Sequence, residues 1–219
     1  MKNLKKLVSV IVLAIFMFSS WNGIGQKQNS FDKIGIEHNQ MLRKVLPKID
    51  YSKKGINLLD EIKIKFIKEF PKRRSDFENF FSEIKTTQIF DNPFDLLKWM
   101  KEKNKINKEL YDLVYNDLIK IKNMNSKEIQ NYVINTKSKK ANLSTDLQNK
   151  YYSFLSVLKY SSKFWSVDDE NGVKYITKNN KWSPRVNGWK VLGCDAVGCF
   201  MGGPAGAAGS SAISIIMQL

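Results

Sequence analysis

Apolar residues recur three or four positions apart between residues 31 and 165, and this spacing leaves few alternatives to a helical protein. It places the apolar side chains on one face of an α-helix, with lysine and acidic side chains opposite. The most regular stripe consists of Leu110, Leu113, Val114, Leu118 and Ile121. Because a single amphipathic helix is unstable alone in water, such helices must bury their apolar faces against one another. The sequence therefore predicts an all-α fold, an irregular bundle of about six or seven helices that ends in a Gly/Ala-rich helix or helical hairpin.

Some helix starts can also be assigned from the sequence. Asn92 followed by Pro93 is typical of an N-cap and a first helical residue. Two capping boxes are predicted, from Asn125 to Glu128 and from Thr145 to Gln148. In such a box the side chain of each end residue bonds the backbone N–H of the other.

The N-terminal segment has the three parts of a secretory signal peptide. A lysine-rich start is followed by an apolar run of 12 residues and by small residues at Gly23 and Gly25. Cleavage after Gly25 would make Gln26 the first mature residue. An uncleaved membrane anchor is the alternative, but it needs roughly 20 apolar residues. We therefore expect an exported protein that is periplasmic, at the cell surface or secreted, with membrane association left open.

The charge balance restricts the partners. The formal net charge is +15, and +12 remains once the three lysines of the signal peptide are removed. Only four of the 36 basic residues are arginine, and lysine binds phosphate without the planar fork of arginine. We expect an anionic membrane or envelope surface as partner and do not expect nucleic acid, and no small-molecule ligand can be named. No cofactor is expected, because the sequence has neither a nucleotide-binding loop nor a metal cluster.

The chain divides into four segments by composition. They are the signal peptide at residues 1–25, a helical domain at 26–166, a β-hairpin or linker at 167–190 and an apolar tail at 191–219. The third segment contains "GVKYITKNNKWSP", whose alternating pattern is typical of two short strands joined by a turn. A disordered linker is the alternative interpretation.

His38 is the only histidine in the chain, which excludes sites built from several histidines. It lies on the apolar face of the first predicted helix, where a hydrogen-bonded, half-buried imidazole is an ordinary outcome. A general base is the alternative, so His38 is kept as a candidate polar site. Acidic neighbours such as Asp60 and Glu61 point to different sides of a helix. We therefore assign no catalytic residue and no metal ligand.

Cys194 and Cys199 raise the question of a disulfide, because the chain is expected to be exported. In a continuous helix, a step of five residues turns the two side chains about 140° apart, too far for a bridge. Either the segment is helical with unbridged thiols, or a disulfide-closed turn precedes the helix.

The tail, Val191–Leu219, contains one charged side chain, Asp195, in 29 residues. Small residues recur there at every fourth position, and the predicted helix-packing positions are Gly198, Gly202, Gly206, Ser210 and Ser214. This ladder resembles the glycine zipper of membrane-associated bacterial proteins, which implies close helix–helix packing. As one helix the tail would be about 43 Å long and could cross a hydrocarbon core of about 30 Å. Pro204 could instead split it into two short helices.

Three placements of the tail follow: insertion in a membrane, self-association, or packing inside the bundle. We expect the first two before the third, because glycine in a helix costs about 1 kcal/mol relative to alanine.

The lysine-rich leader and the stretch "GIEHNQML" resemble uncharacterised exported proteins of Bacteroidetes-type bacteria. The resemblance implies export and no particular activity. The leading functional hypothesis is a bacteriocin-like, toxin-like or envelope-associated protein whose tail packs against a membrane, inserts into it or self-associates. The alternatives are an envelope structural or interaction protein with an internally packed tail, and an extracytoplasmic hydrolase. No motif indicates an enzyme.

Overall fold

The structure, a computed structural model, describes residues 31–53, 55–85, 92–139, 143–166 and 187–218. The predicted signal peptide and nearly all of the predicted β-hairpin lie outside these residues. The chain from Phe31 onward forms one compact unit. Within its described part all regular elements are helical, so the predicted all-α fold is confirmed.

Nine α-helices lie in the described ranges, and we number them in chain order. They are α1 (Asp32–Val45), α2 (Gly55–Glu69), α3 (Arg74–Lys85), α4 (Pro93–Glu102), α5 (Lys108–Ile121), α6 (Ser126–Lys139), α7 (Thr145–Phe164), α8 (Gly188–Gly198) and α9 (Pro204–Gln218). Short 3-10 turns follow three of them, at Leu46–Lys48, Pro71–Arg73 and Cys199–Met201.

Two of the predicted helix starts have the expected hydrogen bonds. Asn92 Oδ1 accepts from the backbone N–H of Phe94 at 3.0 Å. Asn125 and Glu128 form a reciprocal capping box, with N–H to side-chain distances of 3.0 and 2.7 Å.

The second predicted box is wrong. Ser144 takes the N-cap position of α7 without a side-chain cap, so Thr145 is already the first helical residue. The backbone N–H of Gln148 then donates to the carbonyl of Ser144, one residue earlier than the box requires.

In the described part of the chain, the apolar interior consists of two clusters with the tail between them. One is formed mainly by α4, α5, α6 and α7, and the other mainly by α1, α2 and α3. Helix α8 packs on α4 and α7, whereas α9 packs on α1, α2 and α3. Leu192 and Val197 belong to the first cluster, and Ala205 and Ile213 to the second. The tail therefore joins the two halves of the core.

Burial of the tail is almost complete. All residues of Val191–Gly198 and of Pro204–Ile215 are buried. Packing inside the bundle, the placement that the sequence ranks last, is thus the one in the structure. The tail belongs to the same compact unit as the other helices. Among the described helices, none is both long and apolar enough to cross a membrane.

The tail is a helical hairpin, and this changes the meaning of the small-residue ladder. Gly202 and Gly203 have φ values of 153° and 58° in the turn between the two helices, a conformation that favours glycine. Gly202 therefore does not lie in a helix groove, contrary to the prediction from a continuous ladder. Pro204 begins α9, where its missing N–H costs nothing.

Other members of the ladder do lie between the hairpin helices. A Cβ on Gly206 would come 2.5 Å from the carbonyl oxygen of Gly198, and a Cβ on Gly198 would overlap the side chain of Ser210. The last member, Ser214, accepts from the side-chain amide of Gln218 instead, through its carbonyl at 2.9 Å and its hydroxyl at 3.2 Å. Close packing of α8 on α9 thus depends on Gly198 and Gly206.

Candidate functional site

Polar side chains from four helices meet in the apolar interior where α1, α7, α8 and α9 come together. We call this group the polar core; its members are His38, Asn39, Ser161, Trp165, Asp195 and Ser211. His38, Ser161, Asp195 and Ser211 are each 0% exposed. Burial of so many polar groups is tolerated only when they satisfy one another.

Asp195, from the middle of α8, is the acidic member of the polar core. Its Oδ2 accepts from the Ser161 hydroxyl and, at 2.8 Å, from Trp165 Nε1. Its Oδ1 lies against the Ser211 hydroxyl. Desolvation outweighs these hydrogen bonds and raises the pKa of Asp195 to about 7.

His38 is held from both sides of its ring. The amide nitrogen of Asn39 donates to the Tyr160 carbonyl at 2.9 Å, which turns Asn39 Oδ1 toward His38 Nδ1, also at 2.9 Å. Nδ1 must therefore carry a proton, and in a neutral ring Nε2 is an acceptor. Nε2 lies 3.1 Å from Ser211 Oγ and 3.5 Å from Asp195 Oδ2. Burial lowers the pKa of His38 to about 4.

Ser211 connects the two titratable groups. Between about pH 4 and 7, the shifted pKa values leave both His38 and Asp195 neutral. The protonated carboxyl can then donate to Ser211 Oγ, while the Ser211 hydroxyl donates to His38 Nε2. The hydrogen-bonding atoms of these side chains all have partners, and none of the groups is charged. The polar core can therefore hold the four helices together at little electrostatic cost.

Three of these residues are also arranged as in a hydrolase. Ser211 has the position of a nucleophile, His38 that of a base and Asn39 that of the amide that orients the base. Hydrolysis would need a substrate to reach the Ser211 hydroxyl, which is fully buried. Neither Ser211 nor His38 lines the cleft around Lys53 and Glu61 or the cleft around Trp165 and Trp189. With both side chains buried, the arrangement lies in the packed interior of the described helices.

Cys194 and Cys199 are both buried and form no disulfide. Desolvation raises the pKa of the Cys199 thiol, which keeps it protonated and unreactive. In the described part of the chain, no group of three or more His, Cys, Asp or Glu side chains could hold a metal ion.

A second polar contact joins α5, α6 and α7. Asp117 accepts from the Tyr132 hydroxyl at 2.6 Å and from the Tyr151 hydroxyl. Desolvation and the adjacent carboxylate raise the pKa of both tyrosines, so both remain neutral donors. These hydrogen bonds link α5, α6 and α7 to one another.

A surface cleft of about 570 Å³ opens where α5 and α7 end and α6 and α8 begin. Its walls include the indoles of Trp165 and Trp189, and Lys122 and Lys127 also line it. Trp165 separates the cleft from Asp195, because its ring nitrogen donates to that carboxyl. The Trp165 ring therefore lies between the cleft and the polar core.

Comparison of the chain with protein-family models, with curated proteins and with solved structures gives no match. The functional argument accordingly rests on geometry and charge.

Two adjacent serines of α9 are expected to respond in opposite ways to removal of the hydroxyl. Ser211→Ala withdraws a hydrogen-bond partner from both His38 and Asp195 and should lower the free energy of unfolding by about 1–3 kcal/mol. Ser210 Oγ is buried and has no hydrogen-bond partner among the described residues. Ser210→Ala should therefore leave stability unchanged or raise it slightly. Urea denaturation of both variants at pH 6 checks this, and equal losses would contradict the role given to Ser211.

Proposed function

We propose that this protein is an exported envelope protein that associates with anionic surfaces through its lysine-rich exterior, while its tail serves as internal core. The observation that carries the proposal is the burial of Val191–Gly198 and Pro204–Ile215. Because the tail is enclosed, the surface available to a partner consists of the polar faces of the amphipathic helices. That exterior is strongly basic, since a formal net charge of +12 remains once the three lysines of the signal peptide are removed.

Burial of the polar core supports a binding role over a hydrolytic one. An enzyme would need its nucleophile and base to reach a substrate, and Ser211 and His38 are fully enclosed. Association by charge needs no such opening, because lysines act from the surface.

Vesicle binding tests the proposal. The exported protein should sediment with vesicles that contain phosphatidylglycerol at about 0.1 M salt and should not sediment with pure phosphatidylcholine vesicles. At about 1 M salt the Debye length falls to about 3 Å, so binding should be lost. Trapped dye should stay inside the vesicles, because the tail remains in the bundle. Failure to bind anionic vesicles at low salt would refute the proposal.

Insertion of the tail is the second candidate function, and one observation favours it. Asp195 is the only charged side chain from Val191 to Gln218, and burial raises its pKa to about 7. Below that pH the hairpin is uncharged and would enter a bilayer at lower cost. This candidate requires dye release from anionic vesicles at pH 5 that exceeds release at pH 8. Intact vesicles at both pH values would exclude it.

A further inference from the structure

The cleft at the ends of α5 and α7 combines aromatic rings with positive charge. Trp165 and Trp189 form part of its wall, and both rings are partly exposed. Apolar side chains complete the wall, namely Ile121, Met124, Ile129 and Leu192. Indole rings with one apolar side and one polar N–H are favoured at the boundary between water and lipid headgroups.

Lysines lie in this cleft and next to its lining residues in the sequence. Lys122 and Lys127 line it, and Lys120 and Lys163 are in the last turns of α5 and α7. All four lysines are exposed. No acidic side chain is among the described residues that line the cleft. Glu128, which is next to Lys127 in the sequence, accepts a hydrogen bond from the backbone N–H of Asn125 in the capping box of α6.

Lysines elsewhere on the bundle are more often balanced by acids. Exposed pairs of this kind are Lys98 with Glu102, Lys105 with Glu83, Lys108 with Asp112 and Lys150 with Asp146. None of the four lysines around the cleft has an acidic partner within ion-pairing distance in the described part of the chain. Among the described residues, no carboxylate therefore neutralises these four lysines.

We propose that this cleft is the docking site for an anionic lipid bilayer, with Lys122 and Lys127 on the lipid phosphates and Trp189 in the headgroup layer. The inference rests on the function proposed above and assigns it to one end of the bundle. Lysines can extend their charged ends to the phosphates while their stems lie along apolar groups. Such lysines contribute to binding additively while they stay within a Debye length of the surface.

The decisive experiment compares two double variants of equal charge. Lys122→Gln with Lys127→Gln removes the two lysines of the cleft, and Lys72→Gln with Lys103→Gln removes two exposed lysines that do not line it. Binding to phosphatidylglycerol vesicles should weaken about 10-fold or more in the cleft variant and less than about 3-fold in the control. Circular dichroism and the melting temperature should match wild type in both, since all four side chains are exposed.

A second measurement reports the depth of the tryptophan. Brominated acyl chains in the vesicles should quench the tryptophan fluorescence of the bound wild-type protein, and Trp189→Phe should remove a large part of that quenching. Equal losses of affinity in the two double variants would overturn the site and leave the electrostatic function intact. Absence of binding in wild type would instead remove the proposed function itself. Displacement by inorganic phosphate, at an ionic strength where chloride has no effect, would show a free-phosphate site and also overturn the proposal.

Discussion

A chain that ends at Asn187 is expected to lose cooperative unfolding altogether. Removal of α8 and α9 strips apolar side chains from both core clusters at once, because the hairpin lies between them. Each large side chain lost from a core costs about 2–5 kcal/mol, and the total stability of a domain is only about 5–15 kcal/mol. The remaining helices should keep part of their far-ultraviolet circular dichroism, lose their near-ultraviolet signal and bind a hydrophobic dye.

The matched control is a chain that ends at Ile216. It removes Met217, which is 45% exposed, and Gln218, whose side chain bonds Asn187 and Ser214, together with Leu219. Its melting temperature should stay within a few degrees of that of the intact protein. A chain ending at Asn187 that still melts cooperatively near the wild-type temperature would contradict the structural role given to the tail.

Opposite pH dependences are expected when His38 and Asp195 are replaced one at a time. In the unfolded chain their pKa values are near 6.5 and 3.8, and in the fold they are about 4 and about 7. Between pH 4 and 6.5 the two groups together hold one proton in either state, on His38 when unfolded and on Asp195 when folded. Their contributions to the pH dependence of stability therefore cancel in the wild-type protein.

Each variant should expose the contribution of the group that remains. In Asp195→Asn, His38 has a lowered pKa in the fold, so its contribution is present above pH 6.5 and lost as the pH falls toward 4. Relative to wild type, stability should rise with pH by up to about 1.4 kcal/mol per unit. In His38→Gln, Asp195 has a raised pKa in the fold, so its contribution is present below pH 3.8 and lost as the pH rises toward 7. Relative stability should then fall with pH at a similar rate.

Urea denaturation at pH 4.5, 5.5 and 6.5 measures these differences. Subtraction of the wild-type curve removes the contribution of other groups, such as Asp32, whose pKa is lowered by Lys137 and Lys159 despite partial burial. The two differences should have slopes of opposite sign. Slopes of the same sign, or no slope in either variant, would show that the two groups do not share one proton in the folded protein.

Local signals in the sequence identify the helices well. The caps at Asn92 and Asn125 depend only on residues within one turn, and both are present. The start of α7 is misplaced by the box spacing between Thr145 and Gln148, although Ser144 is the stronger N-cap residue type.

The position of the tail could not be derived from its own composition. Small residues allow a close contact between helices, but they do not indicate which helix or surface makes that contact. Gly198 faces Ser210 within the hairpin, whereas a Cβ on Gly209 would overlap the ring of Phe80 on α3. Such partners are set by the tertiary fold, so the ladder of small residues does not distinguish membrane packing from internal packing.

The sequence indicates only part of the polar core. His38 stood alone on an apolar helix face, and Asp195 was the single charge in the tail. Two isolated polar residues on separate apolar faces are a signal for mutual pairing, because neither tolerates burial alone. Ser161 and Ser211 gave no such signal, since serine is common on both sides of a helix.

The contact between His38 and Ser211 joins residues 173 positions apart. The first helix of the bundle therefore has no native partner in α9 until almost the whole chain has been synthesised. Contacts of this range close late, because loop entropy must be overcome before they form. The polar core of such a chain is therefore completed only after its last helix has been made.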